Sequence, residues 1–261
     1  MNPMIRKELR QRMRDRRAWL LPSLYLLVLS ATVVLSYYFS AKESSDPEFL
    51  RRTQGADVGT AFFLTAAYAQ LAVLLLIAPV FSSGGLTIEK EQRTLSALLT
   101  SLLSPTQIWW GKLVTALLYQ TLLLISALPI LALAFAFGGV SPQMVGAVTG
   151  TTLLILTTIS SVGLYCSSFF RRSVHATAVT YALVIGMMLM TAIASALFSA
   201  GTREFVQWPL YLNPFFTLTV SLSTEADHLR SWLISLSLFL ALGSLAAVLA
   251  VRNISRSGES A

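Results

Sequence analysis

Long apolar tracts without a charged residue alternate along the chain with short polar segments. Residues 18–41 and 58–88 contain no Asp, Glu, Lys or Arg, and each tract exceeds the roughly 20 residues that a helix needs to cross a bilayer. The uncharged tract between Lys112 and Arg171 is far too long for one span. Its Gly-Gly-Val-Ser-Pro sequence at residues 138–142 supplies the helix breakers for a tight turn between two spans.

The pattern predicts an all-α polytopic membrane protein with six transmembrane helices. The spans are expected at residues 18–41, 59–85, 113–137, 143–170, 176–200 and 231–251. Residues 203–230 are aromatic and interrupted by Pro209 and Pro214, which favours short re-entrant or interfacial helices before span six.

Both ends of the chain are polar. Residues 1–17 are strongly basic with an apolar face, which predicts a cytoplasmic interfacial amphipathic helix, although a solvated tail is the alternative. Residues 252–261 are expected to form a cytoplasmic tail.

Composition and charge agree with a membrane location. The chain is 55% hydrophobic and only 12% charged, whereas a soluble domain has about 25% charged residues. Six spans place 14 of the 19 Lys and Arg residues on one side, which the positive-inside rule assigns to the cytoplasm. Both termini are therefore expected inside, in a bacterial inner membrane. The net charge of +7 is explained without a nucleic-acid partner.

The inventory of reactive groups is small. No charged residue falls in the middle of a span, which argues against an ion-coupled carrier. His175 and His228 belong to loops on opposite sides, so no metal site or catalytic pair is expected, and the single cysteine, Cys166, excludes an internal disulfide. Gly111-Lys112 lacks the rest of a phosphate loop. We therefore expect no enzyme activity and no cofactor in this chain, and any energy for transport must come from another chain.

Residues 89–112 form a charged island between two spans. A Glu-Lys-Glu sequence leads into Leu95, Leu98, Leu99 and Leu102, which share the spacing of one helix face. The pattern predicts a short amphipathic helix that either docks on a soluble partner or packs on the membrane surface.

In the fourth span, Gly146 and Gly150 form a small-xxx-small pattern that allows close helix packing, within the chain or at a dimer seam.

The charged island resembles a known motif. Residues 89–95 read EKEQRTL and are followed by Leu98-Leu99, Leu103-Ser104-Pro105 and Gly111-Lys112. This order resembles the first cytoplasmic loop of ABC-2 type ABC transporter permeases, most closely the subgroup of multicopper-enzyme-maturation permeases. Two residues depart from the family pattern: Arg93 stands where glycine is frequent, and Leu102 where proline is frequent.

The resemblance implies a permease subunit of an ATP-driven ABC transporter, expected to export its substrate. It also implies a homodimer or heterodimer of permeases and a partner ABC ATPase subunit that binds ATP and Mg²⁺. The loop would be a coupling helix between spans two and three. Its contact with the ATPase would be made by Glu89, Glu91, Arg93, Thr94, Leu95 and Leu98. A membrane anchor for a soluble partner and an ion-coupled secondary carrier are the alternatives.

Overall fold

The computed structural model describes residues 17–43, 55–94, 104–202, 208–222 and 226–259. Within these ranges the chain is helical and has no strand, which confirms the all-α class. The α-helices are α1 (Arg17–Glu43), α2 (Gly55–Glu91), α3 (Pro105–Phe137), α4 (Pro142–Phe169), α5 (Ser173–Thr202), α6 (Pro214–Ser221) and α7 (Ala226–Glu259). A short 3-10 helix, Trp208–Leu212, precedes α6. The predicted interfacial helix at residues 1–17 lies outside the described residues, apart from Arg17.

In the part of the chain that the structure describes, five helices are long and apolar enough to cross a membrane. These segments coincide with predicted spans two to six: Gly59–Glu91, Pro105–Ala134, Pro142–Phe169, Ser173–Ser199 and His228–Arg256. The first predicted span coincides with α1, whose apolar stretch Leu20–Leu35 is shorter. The chain is thus a multi-pass membrane protein, and α7 continues beyond the predicted span through most of the expected tail.

Helices α2 and α4 form the centre of the bundle. α2 packs against α1, α3, α4 and α5, and α4 also packs against α7. In the most apolar 18-residue stretch of α4, half is buried inside the protein, whereas only 17% of the corresponding stretch of α5 is buried. α5 therefore leaves most of its apolar surface for lipid or another protein. The largest fully buried side chains of the central core are Tyr25, Phe63, Phe239, Leu29, Leu71, Leu74, Leu123, Leu131 and Ile155.

A tight turn joins α3 to α4, as predicted. Gly138 and Gly139 have φ angles of 85° and 81°, in the left-handed region that glycine adopts at low cost. Ser141 then caps α4 by accepting a hydrogen bond from Met144 N–H, and Pro142 follows in the first turn, where the missing N–H costs nothing. Four neighbouring residues therefore end one span and start the next.

The predicted short helices before the last span are present. Asn213 caps α6 because its Oδ1 accepts from the N–H groups of Phe215 and Phe216, while its Nδ2 donates to Thr191 Oγ1 of α5 at 3.1 Å. This single side chain both starts α6 and bonds it to α5. The depth of α6 in the membrane stays a prediction.

Candidate functional site

The charged island begins inside α2. Glu89, Lys90 and Glu91, here called the triplet, form the last residues of this helix. The helix ends because Thr94 N–H donates to Glu89 O and Arg93 N–H donates to Lys90 O, the bond pair of a Schellman motif. Arg93 has φ 57° at the left-handed position of this motif. The triplet therefore does not lead a separate helix, and the position where the family often has glycine is a left-handed turn.

Glu89 bonds α2 to α3. Its Oε1 accepts from Lys112 Nζ at 2.6 Å, and the two side chains are 19% and 7% exposed. The other carboxylate oxygen of Glu89 is buried without a hydrogen-bond partner among the described residues. Because α2 and α3 are the two helices that flank the predicted coupling segment, this ion pair joins both ends of that segment.

Lys90 bonds α2 to the end of α4. Its ammonium donates to the carbonyl oxygens of Ser167, Ser168 and Phe170. The last carbonyls of a helix have no partner within the helix, and its C-terminus carries partial negative charge. Lys90 supplies hydrogen-bond donors to these carbonyls and places a positive charge beside the negative end of α4. Each of its three N–H groups is used.

Glu91 bonds α2 to the beginning of α5. Its Oε1 accepts from the backbone N–H and the hydroxyl of Ser173, at 2.7 and 2.6 Å. Ser173 is the first residue of α5, where N–H groups lack helical partners and anions are favoured. The exposed Arg172 adds a favourable charge next to Glu91, whereas Arg171 repels the ammonium of Lys90.

The charge order of the triplet thus matches the helix ends around it. The cation meets the C-terminus of α4, and the anion that follows meets the N-terminus of α5. A separate apolar cluster at the same end of the bundle includes residues of α2, α3, α4 and α7. Its buried members are Leu86, Ile108, Trp109, Leu113, Leu164, Ala250 and Ile254. The polar bonds at the helix ends and the apolar packing of this cluster make this end of the bundle one connected unit.

A further contact lies one turn before the triplet. The hydroxyl of Ser167, which is fully buried, accepts from the backbone N–H groups of Leu86 and Thr87 at 2.8 and 3.0 Å. The next residue, Ser168, accepts from Asn253 Nδ2 of α7 at 3.1 Å. Neighbouring hydroxyls of α4 therefore bond to helices on two different sides.

The predicted partner-contact residues fall into three groups. Glu89 and Glu91 bond within the chain, as described above. Arg93 and Thr94 are exposed at the turn after α2. Leu95 and Leu98, with the rest of the predicted coupling helix, lie outside the described residues. Contact of any of them with an ATPase stays a prediction.

Gly146 and Gly150 lie on an open face of α4. A Cβ atom added at either glycine would meet nothing within 4 Å. Neither glycine therefore makes a close helix contact among the described residues. Their role at a dimer seam stays a prediction.

Sequence reasoning missed the partners of the triplet. The sequence does indicate that Lys112 has an anionic partner. Lys112 is the only charged residue between Arg93 and Arg171, and a lone cation beside an apolar tract needs an anion. Ser167 and Ser173 carry no comparable signal, because serine is common in membrane helices and usually bonds to its own backbone.

Comparison with known families gives one result that covers nearly the whole bundle. A family model described as "ABC-2 family transporter protein" matches residues 23–252. The match includes α2 to α6 completely, and most of α1 and α7. No curated protein matches the chain.

Proposed function

Because the chain belongs to the ABC-2 family of transporter proteins, we propose that this permease works in an ATP-driven exporter. In this proposal a separate ABC ATPase binds ATP and Mg²⁺ and hydrolyses the ATP, and the permease converts the resulting motion into substrate movement. The chain itself would supply the membrane path and the surface on which the ATPase docks.

The coupling part of the proposal is carried by the Glu89–Lys112 ion pair. The segment between α2 and α3 would dock on the ATPase, and its two flanking helices are joined by this pair. A displacement of the segment would therefore move the adjoining ends of α2 and α3 together. Lys90 and Glu91 would pass the same displacement to α4 and α5. Rigid-body movement of packed helices is a common way to transmit such a motion.

Sidedness and assembly follow from the same proposal. The triplet end of the bundle would face the cytoplasm of a bacterial inner membrane, as the distribution of Lys and Arg indicates. The permease would act as a homodimer or heterodimer. The large exposed apolar surface of α5 supports such a contact, since only 17% of its most apolar 18-residue stretch is buried within the protein.

The docking test should avoid the triplet. Glu89 and Glu91 bond inside the bundle, so reversing their charge would disturb the permease itself. Leu95→Asp combined with Leu98→Asp instead places charges on the predicted docking face. The measurement is the rate of ATP hydrolysis by a copurified ABC ATPase in proteoliposomes, with and without the permease. Leu229→Asp is the matched control, because Leu229 is 53% exposed at the opposite end of the bundle.

We expect the double variant to lose the stimulation while its thermal unfolding stays unchanged, and the control variant to keep it. Unchanged stimulation in the double variant would exclude docking through this face. An ATPase whose rate is indifferent to the wild-type permease would favour the membrane-anchor alternative. Uptake driven by an ion gradient in liposomes that contain this chain alone would favour the secondary carrier.

A further inference from the structure

The contact between Ser167 and α2 is unusual for a helix interior. In a regular α-helix, the N–H groups of Leu86 and Thr87 donate to the carbonyls of Ser82 and Ser83, four residues earlier. Here the Ser167 hydroxyl accepts from both N–H groups. The carbonyl of Ser83 accepts from the Thr87 hydroxyl at 3.0 Å. A side chain from α4 thus enters the hydrogen-bond ladder of α2.

The packing around this contact brings the two helices unusually close. A Cβ added at Gly163 of α4 would lie 2.0 Å from Ser82 Oγ and 3.3 Å from Ser83 N of α2. Pro79 lies one turn earlier in α2. Prolines and side chains inserted into the ladder are the usual causes of helix bends. The stretch of α2 immediately before the triplet therefore contains two features that allow a helix to bend.

We propose that Ser167 is a positioning residue for coupling: its hydroxyl holds the end of α2 to α4, so that the triplet moves with α4 rather than with the body of α2. The proposal rests on the proposed function, because it concerns how motion of the coupling segment reaches the spans. Beyond Thr87, every side-chain bond of the triplet described above leads to α3, to α5 or to the end of α4. Before Ser82, α2 belongs to the central core.

The contact has an alternative of similar energy. If α2 turned relative to α4, the N–H groups of Leu86 and Thr87 could exchange the Ser167 hydroxyl for the carbonyls of Ser82 and Ser83. Both arrangements leave the two N–H groups hydrogen-bonded, which avoids the cost of burying an unpaired donor. Such a two-state element can be biased by a modest force at one end.

Ser167→Ala removes the acceptor, and Ser161→Ala is the matched control. The control deletes the same atom six residues earlier in α4, where the hydroxyl donates to Thr157 O of the same helix. The first readout is the distance between spin labels on cysteines introduced at Leu76 and Gln92, which are exposed on either side of the Ser167 contact. The second readout is substrate transported per ATP hydrolysed, with the copurified ATPase in proteoliposomes.

We expect Ser167→Ala to shift the spin-label distances and to lower transport per ATP about tenfold, the factor that corresponds to about 1.4 kcal/mol. Ser161→Ala should change neither. If Ser167→Ala shifts the spin-label distance but leaves transport per ATP normal, the positioning role is wrong. If the distance does not shift, the contact itself is wrong. If the wild-type permease does not change the rate of the ATPase, the proposed function fails. If the wild-type permease does change that rate and Ser167→Ala behaves as the wild type in both readouts, only this inference fails.

Discussion

Removing either member of the Glu89–Lys112 ion pair should destabilise the bundle much more than removing both. The two side chains are 19% and 7% exposed, and their charged atoms lie 2.6 Å apart. A single substitution leaves the remaining charge buried without its partner, which costs about 3–5 kcal/mol in measured cases. Replacing both residues by apolar side chains removes the attraction and both desolvation costs together, so the net change is small or even favourable.

The substitutions for this test are Glu89→Leu, Lys112→Met and the combination of the two. A double-mutant cycle on the free energy of unfolding then gives the interaction energy of the pair. Two single costs of about 3–5 kcal/mol each and a small change in the double variant give an interaction energy of about 6–10 kcal/mol, which is above the roughly 0.5–3 kcal/mol that is usual for neighbouring groups in one polar network. Arg256→Met is the control, because Arg256 is an exposed cation at the same end of the bundle, and it should change the stability by less than about 0.5 kcal/mol.

The assay is unfolding in mixed micelles of mild detergent and dodecyl sulfate, followed by tryptophan fluorescence. The chain contains five tryptophans, and Trp109 belongs to the apolar cluster at the same end of the bundle as the pair. Additive effects of the two single substitutions would refute the reasoning. An interaction energy below about 0.5 kcal/mol would mean that Glu89 and Lys112 do not act as a pair in the folded protein.

Two further predictions concern backbone geometry at helix ends. Arg93→Gly should stabilise the chain by about 0.5–1 kcal/mol in the same assay, since the left-handed φ of 57° strains any residue with a Cβ; Arg93→Ala keeps the Cβ and should gain nothing, so equal effects of the two would contradict the strain. Asn213→Ala should cost about 1 kcal/mol through loss of the α6 cap. Asn213→Ser should recover part of that loss, because serine is also a good cap, and a Ser variant as unstable as the Ala variant would contradict the capping role.

The positions of the long apolar helices could be predicted because they depend on composition alone. A helix in lipid must be apolar along about 20 residues, and the uncharged tracts of this chain coincide with helices α1 to α5 and α7. The turn at residues 138–142 could be predicted equally well, since two adjacent glycines and a proline leave few other conformations.

The arrangement at the triplet could not be predicted in the same way. Residues 89–94 contain no apolar residue, so the apolar spacing stops at Ile88 although α2 continues to Glu91. Periodicity therefore does not show where α2 ends. Arg93 gives no local signal for a left-handed turn, because arginine rarely adopts that conformation. The bonds of Lys90 and Glu91 depend on which helix ends lie side by side, and this is a property of the assembled bundle.

The positions of these partners along the chain also set an order for synthesis in the membrane. Lys112 follows Glu89 by 23 residues, so this pair can form once α3 has entered the bilayer. Phe170 follows Lys90 by 80 residues, and Ser173 follows Glu91 by 82. Because a nascent chain emerges from its N-terminus, the last two bonds must wait until α4 is inserted and α5 has begun. A ribosome-bound chain shorter than this has Lys90 and Glu91 without these partners, and their bonding marks the moment at which α1 to α4, four of the six long helices that the structure describes, have been inserted.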